Sequence, residues 1–283
     1  MKSPEKTVTL DGVELHLANP DVLPLTWVGQ EDLMRQLLAA WMVLHDDDLP
    51  LNPRLIGKPG VGKTTLAYAA ARHLGREVYI MQATMDTRPE DLIVTPVVSG
   101  ASQIKYVASP VVTAMLRGGV CILDEGNRMS EKSWASLAPL LDNRRYVESI
   151  VAGIKIPAHR DFRICATMND DASTFEIPEY IHSRIQPQIF IDFPDRKEEM
   201  TILRQNLPFV EEQILTYVVD FLQKAHDKDE RFTVRDGINV ARYAAKVLRS
   251  GTLTVRQALS RSVAMTLGEE ASRYMDASPE PKP

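Results

Sequence analysis

The spacing of apolar residues changes rhythm several times along the chain. Up to about residue 25 they alternate with polar ones, and TVTL and VELHLA flank Asp11-Gly12, a strong short-range hairpin signal. From Glu31 to about His45, Leu33, Leu37, Leu38, Trp41 and Leu44 recur at the spacing of one helical face. Short, nearly unbroken apolar runs then alternate with helical patterns. The runs are RLI before Gly57, EVYIM at 77–81, VCIL at 120–123, FRICAT at 162–167 and QIFIDF at 188–193. Strands without polar alternation suit a parallel sheet covered on both faces. Helices are predicted between them from Lys63 to about Leu74, Pro110 to about Arg117 and Glu131 to about Leu141.

Two segments interrupt this alternation. LIVTPVVSGASQIKYV at 92–107, with a Ser99-Gly100 turn, and RYVESIVAGIKI at 145–156, with Ala152-Gly153, both predict β-hairpins projecting from the sheet. Beyond about Asp195 only helical patterns remain, near 196–206, 210–226, 234–249 and 254–268, ahead of the Pro-rich end SPEPKP. The expected organisation is a hairpin extension over 1–25, an α/β domain over 26–195, an all-helical domain over 196–270 and a disordered tail over 271–283.

Composition narrows the class without naming a chemistry. The chain is 44% hydrophobic and 25% charged, near the average for globular proteins, which excludes collagen-like and disulfide-scaffold classes. A net charge of −5 argues against a surface-wide nucleic-acid binder. No stretch reaches the roughly 18 apolar residues of a membrane span, and MKSPEKTVTL lacks a signal-peptide core, so a cytoplasmic protein is expected. Cys121 and Cys165 lie inside apolar runs and read as buried thiols. His45, beside Asp46, Asp47 and Asp48, reads as a solvated helix end rather than a metal ligand. Trp27 and Trp41 read as core residues, with Trp27 the more open to a base-stacking role.

The chemistry enters with GKPGVGKT. Gly57 to Thr64 fits G-x-x-x-x-G-K-[ST] between a predicted strand and a predicted helix, the setting of a phosphate-binding loop. Its glycines let backbone N–H groups wrap a polyphosphate, the helix N-terminus adds positive potential, and Lys63 brings a point charge to the β- and γ-phosphates. The candidate nucleotide contacts are Gly57, Lys58, Pro59, Gly60, Val61, Gly62, Lys63, Thr64 and Thr65. Thr64 is also a candidate Mg²⁺ ligand. VCILDE is an apolar strand ending in two acids, which suits Asp124 to the metal and Glu125 to the water that attacks the γ-phosphate.

Together these residues resemble the AAA+ ATPases, P-loop NTPases with a helical lid, and within them the MoxR-like branch that includes the CbbQ and NorQ activators and is similar to the dynein-related modules. The resemblance runs from about Val28 to Leu267. VGQED at 28–32 looks like the adenine-side segment, making Val28 and Gly29 nucleotide contacts, and PEDL at 89–92 and ASPVVTAMLRGGVCILDEGNRM at 108–129 follow the branch pattern. SLAPLLDNRRYV at 136–147 matches the helix that comes next. FRICATMN resembles the sensor-1 strand, which implies that Asn169 positions the attacking water with Glu125. YIHSRI at 180–185 resembles the arginine-finger segment, giving Arg184 that role, and TVRDGINVARYA at 233–244 resembles the sensor-2 helix, giving Arg235 its arginine. Arg128, Arg144 and Arg145 compete with Arg184 for a role in trans. The resemblance implies ATP and Mg²⁺ as cofactors, a hexameric ring of identical subunits, a protein client contacted by the two hairpins, and a partner bearing a von Willebrand A domain.

Two departures stand out: Gly126 takes the place of the usual apolar residue in DEINR, where it is expected to loosen the following helix, and the proline after sensor 1 is absent. The competing class is a GTP-using, McrB-like nucleic-acid motor, suggested by TMNDD. The final Asp of that group's MNxxD motif falls on Ala172 here, which favours ATP.

Overall fold

The computed structural model describes residues 6–24, 26–99, 103–170, 176–228, 230–251 and 253–275. Contacts divide the chain into two compact units, one of residues 1–27, 31–57 and 62–191, the other of Val28–Gln30, Lys58–Val61 and Asp192–Pro283.

The first unit runs β1 (Thr7–Leu10), β2 (Val13–His16), α1 (Glu31–Trp41), β3 (Arg54–Gly57), α2 (Lys63–His73), β4 (Val78–Gln82), α3 (Pro89–Leu92), β5 (Val94–Ser99), β6 (Gln103–Ala108) and α4 (Pro110–Arg117). It continues with β7 (Val120–Asp124), α5 (Glu131–Leu137), β8 (Tyr146–Ser149), β9 (Ile154–Pro157), β10 (Arg163–Asn169), α6 (Glu179–His182) and β11 (Gln188–Phe190). The five predicted apolar runs form one parallel sheet, in the order β11-β3-β10-β7-β4. Every residue of β10 is buried, as is Val120–Leu123 of β7, the consequence of helices covering both faces. Each fully buried Val, Leu or Ile there contributes about 1.5–3 kcal/mol relative to exposure.

The register decides where chemistry can occur. Gln82 lies opposite Asp124, Ala166 opposite Leu123, and Asn169 opposite Gly57. The carboxyl ends of β3, β4, β7 and β10 therefore share one rim of the sheet, the rim where parallel α/β sheets place their ligands.

Helix α1 is shorter than its periodicity predicts. Its apolar face ends at Trp41, which is buried and donates from Nε1 to the Ile164 carbonyl at 3.1 Å. Met42 and Leu44 are exposed, and Asp48 draws the chain into a turn by accepting from the Leu44 N–H. His45, Asp46 and Asp47 are exposed and Asp48 is half-buried, and among the described residues no cluster of His, Cys, Asp and Glu could hold a metal. Cys121 and Cys165 are buried free thiols, and burial pushes both of them up.

Both hairpins expected in the α/β region form, and the first of them gains a further neighbour. β5 and β6 pair antiparallel with Val98 opposite Ile104, while the expected turn residue Gly100 lies outside the described residues. β2 then pairs in parallel with β6, Leu15 opposite Tyr106, so the amino-terminal hairpin completes a four-stranded sheet in the order β1-β2-β6-β5. Asp11 and Gly12, with φ of 48° and 81°, make the tight turn between β1 and β2. β8 and β9 form a separate two-stranded sheet.

The second unit holds α7 (Arg196–Asn206), α8 (Glu212–His226), α9 (Val234–Leu248) and α10 (Val255–Leu267). A 3-10 turn over Glu269–Tyr274 buries Ala271, so regular structure continues past residue 270, where a tail is expected; residues 276–283 of that tail lie outside the described residues. Gly237 within α9 costs about 1 kcal/mol of helix propensity. A Cβ there would meet Leu222 Cδ1 at 2.5 Å, so the glycine lets α8 and α9 approach closely. No helix among the described residues is long and apolar enough to cross a membrane.

Glu199 of α7 is fully buried among these helices. Burial raises its carboxyl to about 7, opposed by the Gln223 side chain, which donates to Oε2 at 2.9 Å. A raised pKa favours the fold below the unfolded value, and that contribution is lost as pH climbs from the ordinary carboxylate range to about 7. Glu199→Gln should therefore stabilise the protein by roughly 1–3 kcal/mol at pH 8 and much less at pH 5. Urea unfolding at the two pH values checks this; equal shifts at both would refute it.

Candidate nucleotide site

The phosphate loop follows directly from the register. β3 ends at Gly57 and α2 begins at Lys63. Between them Gly60 and Gly62 have φ of 82° and 100°, a region that favours glycine. Gly62 is the N-cap of α2 and supplies no side-chain bond, so the first-turn N–H groups remain for an anion. Lys63 is buried, with Nζ donating to the Gly57 carbonyl at 2.8 Å. Trp27 lies over the same turn, since a Cβ on Gly62 would approach its ring to 3.1 Å. Its Nε1 is buried with no partner among the described residues. Lys58–Val61 cluster with the helical unit, where Lys58 Nζ stands 4.7 Å from the centroid of Phe193 and Gly60 lies against Thr233. Phe193 in turn stacks on His226 with centroids 3.8 Å apart. Gly29, at φ 72°, packs on Glu198, which accepts from the Gln30 N–H at 2.7 Å.

Across the rim, Asp124 Oδ1 accepts from Thr64 Oγ1 at 2.7 Å and from Thr167 Oγ1 at 2.5 Å. Glu125 follows in the left-handed region, φ 55°, which costs a non-glycine residue about 1–2 kcal/mol. Its N–H donates to Thr167 Oγ1 at 3.0 Å, which holds the turn. The Glu125 carboxylate accepts from Asn169 Nδ2 at 3.1 Å and Gln82 Nε2 at 3.2 Å, and pairs with Arg128 Nε at 2.7 Å. Asn127 adds a bond from Nδ2 to the Asn169 carbonyl at 2.9 Å. One network thus joins Thr64, Asp124, Glu125 and Asn169.

Residues 54–185 match the sequence profile of the AAA domain, dynein-related subfamily. This segment, just under half of the chain, resembles an AAA domain. An uncharacterized protein of Staphylococcus epidermidis is 25% identical over 175 residues, covering 60% of this chain and 66% of that relative's length. One from Staphylococcus aureus is 24% identical over 179 residues, covering 62% and 68%. Among solved structures, the Thermotoga maritima RuvB Holliday junction branch migration motor superposes with a TM-score of 0.57 at 17% identity, over 84% of this chain and 70% of that one. Brucella abortus NtrX in complex with ADP gives 0.57 at 13%, over 88% and 66%. These likenesses show the fold, a parallel sheet flanked by helices as in AAA+ P-loop proteins.

Three residues of the network were not singled out from sequence for the roles they take. Thr167 carries a signal in retrospect, because it lies two residues before Asn169 and so shares its strand face. Gln82 is brought in only by the β4–β7 register. Arg128, a candidate for action in trans, is paired with Glu125 of its own chain. Gly126 does not loosen α5. It opens a 3-10 turn over Gly126–Arg128, and a Cβ on it would come within 3.2 Å of buried Trp134, so a glycine fits where a larger residue would displace the ring. α5 starts afresh at Glu131, capped by Ser130.

The other arginines lie outside the network. Arg145 turns inward, donating from Nη2 to the Phe162 carbonyl at 3.0 Å, and burial lowers its guanidinium. Arg144 and Arg184 both pair with Asp142. Arg235 is exposed in the first turn of α9 in the helical unit.

Proposed function

We propose that this chain is a MoxR-like AAA+ ATPase, hydrolysing ATP with Mg²⁺ in a hexameric ring and using the cycle to remodel a client protein alongside a von Willebrand A partner. The observation that carries the reading is the rim network, in which Thr64 and Thr167 bond Asp124 while Asn169 bonds Glu125. All the oxygens at Thr64 and Asp124 are hard donors, which fits Mg²⁺. The ion would neutralise charge developing on the β- and γ-phosphate oxygens. The uncapped turn at Gly62 and the buried Lys63 suit the polyphosphate.

Glu125 would accept the proton of the attacking water, and Asn169 would hold the carboxylate in place. Val28 and Gly29 take the adenine side, Arg184 the finger role towards a neighbour and Arg235 the sensor-2 role. Support for client contact is the apolar character of the hairpin ends: Val98, Ile104 and Ile150 are 74%, 60% and 96% exposed.

Phosphate release by the purified chain tests the reading. ATP should be hydrolysed more than about tenfold faster than GTP, since a site that pairs with one base edge rejects another strongly. A GTP preference, or hydrolysis driven by salt-sensitive nucleic-acid binding, would favour the motor class instead.

A further inference from the structure

Asp142 follows α5 and receives two arginines. Arg144 grips it as a fork, Nε to Oδ1 at 3.0 Å and Nη2 to Oδ2 at 2.8 Å, and Arg184 reaches Oδ2 from Nε at 3.4 Å. The main chain is tied at the same place, because Asn52 Nδ2 donates to the carbonyls of both Leu141 and Arg184, at 2.9 and 3.0 Å. The segments after α5 and after α6 are thereby held side by side. Arg184 also donates from Nη1 to the Tyr180 carbonyl, so its Nε and Nη1 are engaged while Nη2 has no partner among the described residues.

Charge gives this cluster a direction. Two guanidinium groups on one carboxylate leave a net positive charge at a site where Arg144 and Arg184 side chains are 52% and 28% exposed. Arg144 beside it holds the Asp142 carboxyl down at about 2, so the carboxylate stays ionised at any working pH. Like charges would otherwise separate Arg144 from Arg184. Arg145 next door is spent on Phe162, which leaves these two as the accessible pair.

We infer that Asp142 is a positioning residue: it gathers Arg144 and Arg184 into one cationic surface that meets the γ-phosphate of a nucleotide held by a second copy of this chain. This rests on the ring-ATPase reading above. Arg184 extends its unengaged Nη2 to the phosphate, and Asp142 fixes the aim without touching it. A planar fork fits phosphate oxygens in a way an ammonium does not, so the geometry of the pair matters as well as its charge.

Steady-state ATPase of the full chain tests this with Asp142→Asn, Asp142→Glu, Arg144→Lys and Arg184→Ala, the oligomer of each checked by sedimentation. Misplacing a catalytic group by about an ångström costs up to roughly 100-fold, so Asp142→Asn should lower kcat by about 10- to 100-fold with KM changed less than about twofold. Asp142→Glu should recover part of the loss, which a merely structural role would not require. A kcat for Asp142→Asn that matches or exceeds the parent overturns the inference, the latter by making Asp142 a restraint on Arg184. Should Asp142→Asn fail to fold, Arg144→Lys decides, because it keeps the charge but loses the fork; an unchanged kcat overturns the inference. Normal turnover in Arg184→Ala would instead sink the finger assignment itself, whereas an inactive Arg184→Ala beside a normal Asp142→Asn would sink the positioning role alone.

Discussion

Arg184→Ala should lower ATP turnover by roughly a thousandfold or more, the scale on which an arginine finger stabilises a transferring phosphoryl group. Nothing among the described residues of its own chain accounts for such a loss. Among the described residues Arg184 bonds Asp142 and Tyr180 and makes no hydrogen bond or ion pair with the network around Glu125. The defect should therefore appear in the neighbour's site, and mixing subunits reads this directly. Arg184→Ala subunits retain Glu125, Glu125→Gln subunits retain Arg184, and each population alone should be inactive. Mixed, they should regain turnover wherever an intact Arg184 faces an intact Glu125 in another subunit. No recovery from well-assembled mixtures would place Arg184 in cis or outside the reaction.

Glu125→Gln should reduce turnover by about 100- to 10,000-fold, the range for losing a general base, while nucleotide affinity stays near the parent value. The amide oxygen of glutamine can still accept from Asn169, and the bonds of Lys63 to Gly57 and of Thr64 to Asp124 do not involve Glu125. The ion pair with Arg128 is lost, but it is partly exposed and contributes little to stability. Titration with a fluorescent ATP analogue and phosphate release separate the two quantities. Unchanged turnover would remove Glu125 from the mechanism.

Most of the first unit was legible because buried parallel strands have few sequence options. RLI, VCIL and FRICAT are apolar runs closed by Gly57, by Asp124-Glu125 and by Asn169, and the structure aligns those closures on one rim. The phosphate loop was legible for a similar reason, since only glycine meets the backbone angles at Gly60 and Gly62 cheaply. Long-range partners were not. Gln82 and Thr167 enter the network through strand register, which a local pattern does not encode, and the pairing of β2 with β6 joins segments about ninety residues apart. Arg128, Arg144 and Arg145 look alike in sequence, yet one pairs with Glu125, one forks onto Asp142 and one, half-buried, bonds the Phe162 carbonyl. Their fates follow from which acid or carbonyl the fold places within reach. Helix α1 was overextended because Leu44 keeps the period after Trp41 has taken the last buried position.

The β2–β6 pairing also means that the profile of residues 54–185 cuts through a sheet rather than around a domain. A chain begun at residue 26 would strip β6 of its neighbour and turn an interior strand into a raw edge, with unpaired backbone groups flanked by Ile104, Tyr106 and Val107. Such an edge invites pairing with other molecules. The amino-terminal hairpin thus covers that side of β6 and hands the edge of this small sheet to β1.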